Sequence, residues 1–178
     1  AYLIAGVPAH MALGTNKMSS AMGTVVSTAR FARNGYLRGK MLMAACSAAA
    51  ALIGSAFGAH LALMVSEEII KHMMIVVLPI VAFYVLRNKD MGENEKTGTI
   101  PQVKVFAICI AAAFFIGGYD GFYGPGTGTF LILILTGAAR LDTRSASAQT
   151  KVINLSSNIA ALVTFIATGN VFYPLGLT

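Results

Sequence analysis

The chain has 178 residues, 56% of them hydrophobic and 11% charged, with a formal net charge of +6. A soluble domain carries about 25% charged residues, so this composition excludes a water-soluble globular domain. The basic residues punctuate apolar runs instead of forming a patch, which argues against a nucleic-acid partner and for the positive-inside bias of a membrane protein.

Residues 1–13 form an apolar lead-in containing Pro8 and His10. Gly14-Thr15-Asn16-Lys17-Met18-Ser19-Ser20 opens a helix predicted to run to about Arg33, where Asn34-Gly35 is a strong stop because both residues tolerate a left-handed backbone. Arg30, Arg33, Arg38 and Lys40 then cluster before a second predicted helix at 41–64, which lies in a run free of charged residues. That helix is rich in alanine and glycine, as close helix packing in a membrane requires. An acidic connection, Ser66-Glu67-Glu68, leads to a third span at 69–86, with a kink predicted at Pro79. Residues 87–102 read as a hydrophilic cytoplasmic linker. A fourth apolar segment covers 103–118 and runs into a glycine-rich break, Gly117 through Gly128. Residues 127–137 are too few to cross a bilayer as a helix. After Arg140, Asp142 and Arg144, the last long helix is predicted at 145–168, stopped by Gly169-Asn170. Cys46 and Cys109 lie singly in apolar runs and read as packing residues. A chain that starts at Ala1 and stops at Thr178 in an apolar stretch is the pattern expected of a fragment.

Suppose the segments alternate sides, with residues 30–40 in the cytoplasm. Ten of the 13 basic residues then fall inside: Arg30, Arg33, Arg38, Lys40, Arg87, Lys89, Lys96, Lys104, Arg140 and Arg144. Lys71 sits beside Glu67 and Glu68, which leaves Lys17 and Lys151 to explain. Aligning these two without gaps also pairs Ala12 with Ala146, Phe31 with Phe165 and Gly35 with Gly169. Each lysine heads a stripe at i, i+3, i+7 on one helical face: Lys17, Ser20 and Thr24 in one, Lys151, Asn154 and Asn158 in the other. In this topology the two helices cross in opposite directions, as in an inverted-repeat transporter; a chance match between two membrane helices is the alternative. The expected fold is an all-α integral membrane protein, a multi-pass helical bundle with inverted repeats and a glycine-rich helix break. It forms one transmembrane domain over 1–178, with 1–86 and 103–178 as the two repeat parts.

The heptapeptide at 14–20, following His10, Ala12 and Leu13, resembles the first signature of the TauE/SafE sulfite exporter family. Gly118-Tyr119-Asp120-Gly121-Phe122-Tyr123-Gly124-Pro125-Gly126-Thr127-Gly128 resembles the second, and Thr150-Lys151 with Asn154 and Ser157-Asn158 the third. Members of that family are typically somewhat longer, with a glycine-rich first helix and further C-terminal helices. The resemblance implies a multi-pass permease of the bacterial inner membrane that moves sulfite, sulfonates or related sulfur-containing anions. Its partners would be that small anion and the lipid bilayer, with no cofactor and no catalysed reaction; a homo-oligomer is left open. The resemblance brings Asn16 and Thr150 into the candidate set.

The residues themselves support an anion site. A lysine at mid-membrane costs roughly 2.5–3.5 kcal/mol on insertion scales, and it persists most easily beside an anion, an acid or water. Lys17 and Lys151 can together hold a small oxyanion, with Ser20, Thr24, Asn154 and Asn158 as polar neighbours. Gly124, Gly126 and Gly128 would expose backbone N–H groups at the positive end of the following helix. Snorkelling explains the lysines without a ligand, and a tight helix hairpin explains the glycines. Asp120, the one acid in the apolar part, is a candidate to pair with Lys151 or to carry a coupling proton; a helix-cap or interfacial role is the alternative. His10, His60 and His72 lack metal-ligand spacing, the Gly-Lys-Ser/Thr ending of a phosphate loop is missing, and the serines have no histidine partner at a recognisable spacing. Two other classes remain: a non-transporting scaffold or assembly subunit, and an anion channel.

Overall fold

The first helix begins at a proline. In a computed structural model that describes residues 6–37, 39–87 and 100–176, α1 spans Ala9–Arg33, with Pro8 as its N-cap at φ −52° and ψ 145°. Pro8 has a fixed φ and no N–H to leave unpaired, and its carbonyl accepts the first bond, from Ala12 N at 2.8 Å. The predicted start at Gly14 is therefore corrected by five residues. Gly14 lies inside the helix, at a point where any side chain would fall on the carbonyl oxygen of Asn170 and on Phe165. The C-terminus is as expected, with Asn34 as C-cap and Gly35 at φ +78°.

The remaining elements are α2 (Met41–Met64), α3 (Glu67–Arg87), α4 (Gln102–Phe122), α5 (Thr127–Gly137), α6 (Thr143–Ala167) and a short α7 (Tyr173–Gly176). Helix α3 continues through Pro79. Residues 88–99, most of the predicted linker, lie outside the described residues, as does Arg38. Helices α2, α4 and α6 are each long and apolar enough to cross a membrane. They present large apolar side chains outward, among them Leu42, Phe57, Phe115 and Val163, a surface suited to lipid and not to water.

Hydrogen bonds set the helix directions. Lys40 Nζ donates to Ser145 Oγ (2.8 Å) and Ser55 Oγ to the Ser157 carbonyl (2.6 Å), so α2 and α6 run parallel. Lys17 meets Asn158 while Thr28 Oγ1 donates to the Lys151 carbonyl (3.0 Å), so α1 runs antiparallel to α6. Helix α4 lies parallel to α2 in backbone contact. A methyl added to Gly54 would fall on the Phe114 carbonyl, one on Gly58 on the Gly118 carbonyl, and one on Gly121 on the Ser55 carbonyl. These glycines, with Gly117 against Ala51, form the small-residue seam that lets membrane helices pack by van der Waals contact.

That seam corrects the predicted end of α4. Gly117, Gly118 and Gly121 are helical and face α2, so the helix runs four residues beyond the expected Gly118. The break shrinks to Tyr123–Gly126. It also lies inside the bundle: Asp120, near the end of α4, bonds Ser157, and ten residues of α6, about 15 Å, continue past that level. Irregular backbone at such depth is tolerated where protein or a polar cavity surrounds it.

Helix α6 starts with a side-chain cap. Asp142 Oδ1 accepts from Ser145 N at 2.9 Å, and Oδ2 lies 3.6 Å from Lys40 Nζ. Partial burial raises the pKa of this carboxyl, but the bonds from Ser145 and the Lys40 charge outweigh that and hold it below the ordinary value. A depressed folded-state pKa means that the cap contributes fully above the unfolded value of about 3.9 and is lost as pH falls through the folded one. Asp142→Ala is expected to cost about 1 kcal/mol at neutral pH. In detergent melts the gap between variant and parent should close as pH falls below 4.

Candidate functional site

An apolar bundle must account for every charge it buries. Lys17 is 2% exposed and Asp120 5%, and Lys17 Nζ lies 2.8 Å from Asp120 Oδ1. Lys17 Nζ also donates to Asn158 Oδ1 at 3.2 Å. Ser157 Oγ donates to Asp120 Oδ2 at 2.5 Å, and the Thr127 hydroxyl lies 3.0 Å from Asp120 Oδ1 and 2.5 Å from the Gly124 carbonyl. One charged pair thus ties together α1, α4, α5 and α6. Both carboxylate oxygens have donors, which is the condition for a buried ion pair to survive its desolvation cost.

Beside a coupling-proton role, the sequence suggests Lys151 as the partner of Asp120, or a cap or interfacial role for the acid. The fold corrects the pairing and the cap or interfacial role: Asp120 is a buried helical residue of α4, and its partner is Lys17. Antiparallel packing brings Lys17 level with Asn158 and Lys151 level with Thr28. The two lysines therefore enter from levels seven residues apart on α6, about 10 Å. Among the described residues Lys151 forms no ion pair.

The four-residue break shapes the floor of the site. Gly124 has φ +98°, and a Cβ there would sit 3.0 Å from both Asp120 Oδ1 and Lys17 Nζ. Gly126 caps α5 in the left-handed conformation at φ +81°, with no side-chain cap bond. Thr127 N is taken by the Gly124 carbonyl (3.2 Å), while helix geometry leaves the next two amides, of Gly128 and Thr129, without an intrahelical acceptor.

These groups surround one polar cavity of about 620 Å³. Asn16, Lys17, Ser20 and Thr24 line it from α1, and Asp120 from α4. Gly124, Gly126 and Gly128 line it from the break and α5, and Lys151, Asn154 and Asn158 from α6. Thr150 does not. It is 2% exposed, its hydroxyl has no hydrogen-bond partner, and it is turned about 100° around the helix from Lys151. Gly23, Ser27, Pro125 and Thr127 complete the lining and were missed. Continuing the α1 stripe from Ser20 by i+3 and i+7 reaches Gly23 and Ser27, so that signal was available. For Thr127 and Ser157 no periodicity pointed to Asp120.

The sulfite exporter TauE/SafE family matches the chain over residues 1–178. The chain belongs to the TauE/SafE family. Curated relatives are named as membrane transporters. A probable membrane transporter protein, ORF9, of Sinorhizobium sp is 35% identical over 99% of this chain and 66% of its own length. A probable membrane transporter protein of Haemophilus influenzae is 28% identical over 99% and 67%. The probable membrane transporter protein YfcA of Escherichia coli K12 is 28% identical over 99% and 64%. The chain thus spans about two thirds of the length of these relatives. No solved structure matches it. In this TauE/SafE chain the three signature-like stretches, far apart in sequence, each contribute lining to the one cavity.

Proposed function

We propose that this chain forms the anion-binding core of a secondary transporter of the bacterial inner membrane, carrying sulfite or related sulfur oxyanions and organosulfonates. The observation that carries this reading is a polar cavity within an apolar bundle, open on one side, that two lysines line, one neutralised by Asp120 and one without a counter-ion among the described residues. An oxyanion held near Lys151 would meet the Asn154 side chain and the free amide of Gly128, at the positive end of the α5 dipole. Lys17 then serves as the second, conditional cation. While Asp120 is ionised it occupies Lys17; when Asp120 takes up a proton or swings away, Lys17 is free to face the anion. The charged groups facing Asp120 are Lys17 from α1 and Lys151 across the cavity from α6, since α2 and α5 contain no Asp, Glu, Lys or Arg. This arrangement would couple one proton to anion movement.

Orientation follows from the basic residues. Arg30, Arg33, Lys40, Lys104, Arg140 and Arg144 lie at the α1 C-terminal end of the bundle, and Glu67 and Glu68 at the other, so the basic end faces the cytoplasm under the positive-inside rule. The opposed directions of α1 and α6 suit an inverted repeat.

Lys151→Gln tests the site. A hydrogen bond to a charged group contributes about 1.5–3 kcal/mol, so the variant should bind the transported anion roughly ten- to a hundred-fold more weakly. Flux into proteoliposomes, read across sulfite, thiosulfate, sulfate and short sulfonates, should fall with it. Undiminished flux in a folded Lys151→Gln protein would place the anion elsewhere. Saturable exchange is expected; a linear, non-saturating current would indicate a channel.

A further inference from the structure

A second cavity, of about 590 Å³, opens at the basic end of the bundle, between the last turns of α1 and the first turns of α6. Arg30 and Asn34 line it from α1, Arg144 and Ser147 from α6, and Phe31 and Tyr36 supply apolar wall. Gly23 and Ser27 line both this cavity and the deeper one, so the two share a wall on α1 and lie one beyond the other along it.

Among the described residues its two guanidinium groups have no counter-ion. The acid nearest Arg144 in sequence, Asp142, is occupied by Ser145 N and Lys40, and neither Arg30 nor Arg144 forms an ion pair with a described residue. Guanidinium forks suit sulfonate and phosphate oxygens, and the aromatic and aliphatic wall suits a short carbon chain beside them. We propose that this vestibule is a second binding site, which captures organic oxyanions with an apolar body, of the short alkanesulfonate class, from the cytoplasmic side and passes them to the Lys151 cavity. A lipid phosphate offers the same head chemistry. The wall shared with the deeper cavity favours a solute, because a lipid held at the rim has no need of a route inward. The inference rests on the transport reading for direction, but the binding itself does not depend on transport.

The test uses the intact protein in nanodiscs, with ethanesulfonate as the probe, in pure phosphatidylcholine and with anionic phosphatidylglycerol added. In pure phosphatidylcholine, Arg30→Gln/Arg144→Gln is expected to weaken ethanesulfonate binding at least ten-fold and to lower cytoplasmic-side uptake in proteoliposomes. Lys151→Gln should leave the vestibule component of binding within about two-fold of wild type while lowering uptake. Should the double variant bind and transport like wild type, there is no vestibule site. If native mass spectrometry instead finds phosphatidylglycerol retained by wild type and lost from the double variant, with ethanesulfonate binding unchanged, the pocket holds lipid and the proposal is overturned. Arginine-dependent binding without flux of any anion would support the vestibule and count against the transport reading alone. Because either substitution could disturb the α1–α6 contact, Arg30→Lys/Arg144→Lys keeps the charge without the fork and should retain partial binding.

Discussion

Asp120→Asn is expected to destabilise the bundle by about 3–5 kcal/mol, the usual cost of removing one partner from a buried ion pair. The substitution preserves shape, but it leaves the Lys17 ammonium facing only neutral oxygens, those of Asn158 and the new amide, and turns an NH2 toward a hydroxyl, of Ser157 or Thr127, that had donated to the carboxylate. Lys17→Met should cost a similar amount, because the carboxylate is then the unpaired charge. Removing both charges, in Lys17→Met/Asp120→Leu, should recover most of the loss, since apolar residues of similar size often replace a buried pair at little cost. Detergent melts of the four proteins form a double-mutant cycle whose coupling energy isolates the pair. The same cycle bears on function. In Asp120→Asn a solute anion no longer competes with an internal carboxylate for Lys17, so added sulfite should raise the melting temperature of the variant more than that of the parent. At a hundred times the dissociation constant this stabilisation reaches about 2.7 kcal/mol. A variant as stable as wild type and indifferent to sulfite would mean that Lys17 is not held as a buried cation.

Adding one methyl group at Gly58 should be among the most damaging small changes available in this chain. In Gly58→Ala the new carbon would overlap the Gly118 carbonyl and press on Phe122 N. Both are backbone atoms of a neighbouring helix, which no rotamer change can move. Gly54→Ala meets the Phe114 carbonyl and Gly121→Ala the Ser55 carbonyl in the same way. Overpacking costs typically 1–3 kcal/mol where side chains can adjust; here α2 and α4 must separate, so each variant should reach or exceed the top of that range. Separation would also shift Asp120, one helical step from Gly121, and so weaken the site. Gly23→Ala is the control. Nothing lies within 4 Å of its added carbon, and alanine is the better helix former by roughly 0.8–1 kcal/mol, so this variant should be neutral or more stable. Yield of monodisperse protein and melting temperature should separate the seam from the control; equal behaviour would show that the α2–α4 spacing has slack.

Much of this architecture is legible in the residues alone, because the signals are local. Long apolar stretches punctuated by charges mark where the long elements lie, Asn34-Gly35 and Gly169-Asn170 mark two of the stops, and a lysine with polar residues at i+3 and i+7 marks one face of α1 and one of α6. These depend on what each segment can bury and expose by itself. The tertiary fold decided what each polar group meets. A glycine is equally at home in a turn and in a helix pressed against another backbone, and only the presence of α2 makes Gly117, Gly118 and Gly121 helical while Gly124 and Gly126 turn the chain. The sequence suggests Lys151 as the partner of Asp120; the antiparallel register of α1 and α6 instead sets Lys17 level with it and Lys151 about 10 Å away along the helix. Thr150 shares its neighbourhood in sequence with Lys151 but not its direction, because one residue of α-helix turns the side chain out of the cavity. Residue types and spacing determine which faces are polar, and packing determines which charges are paired.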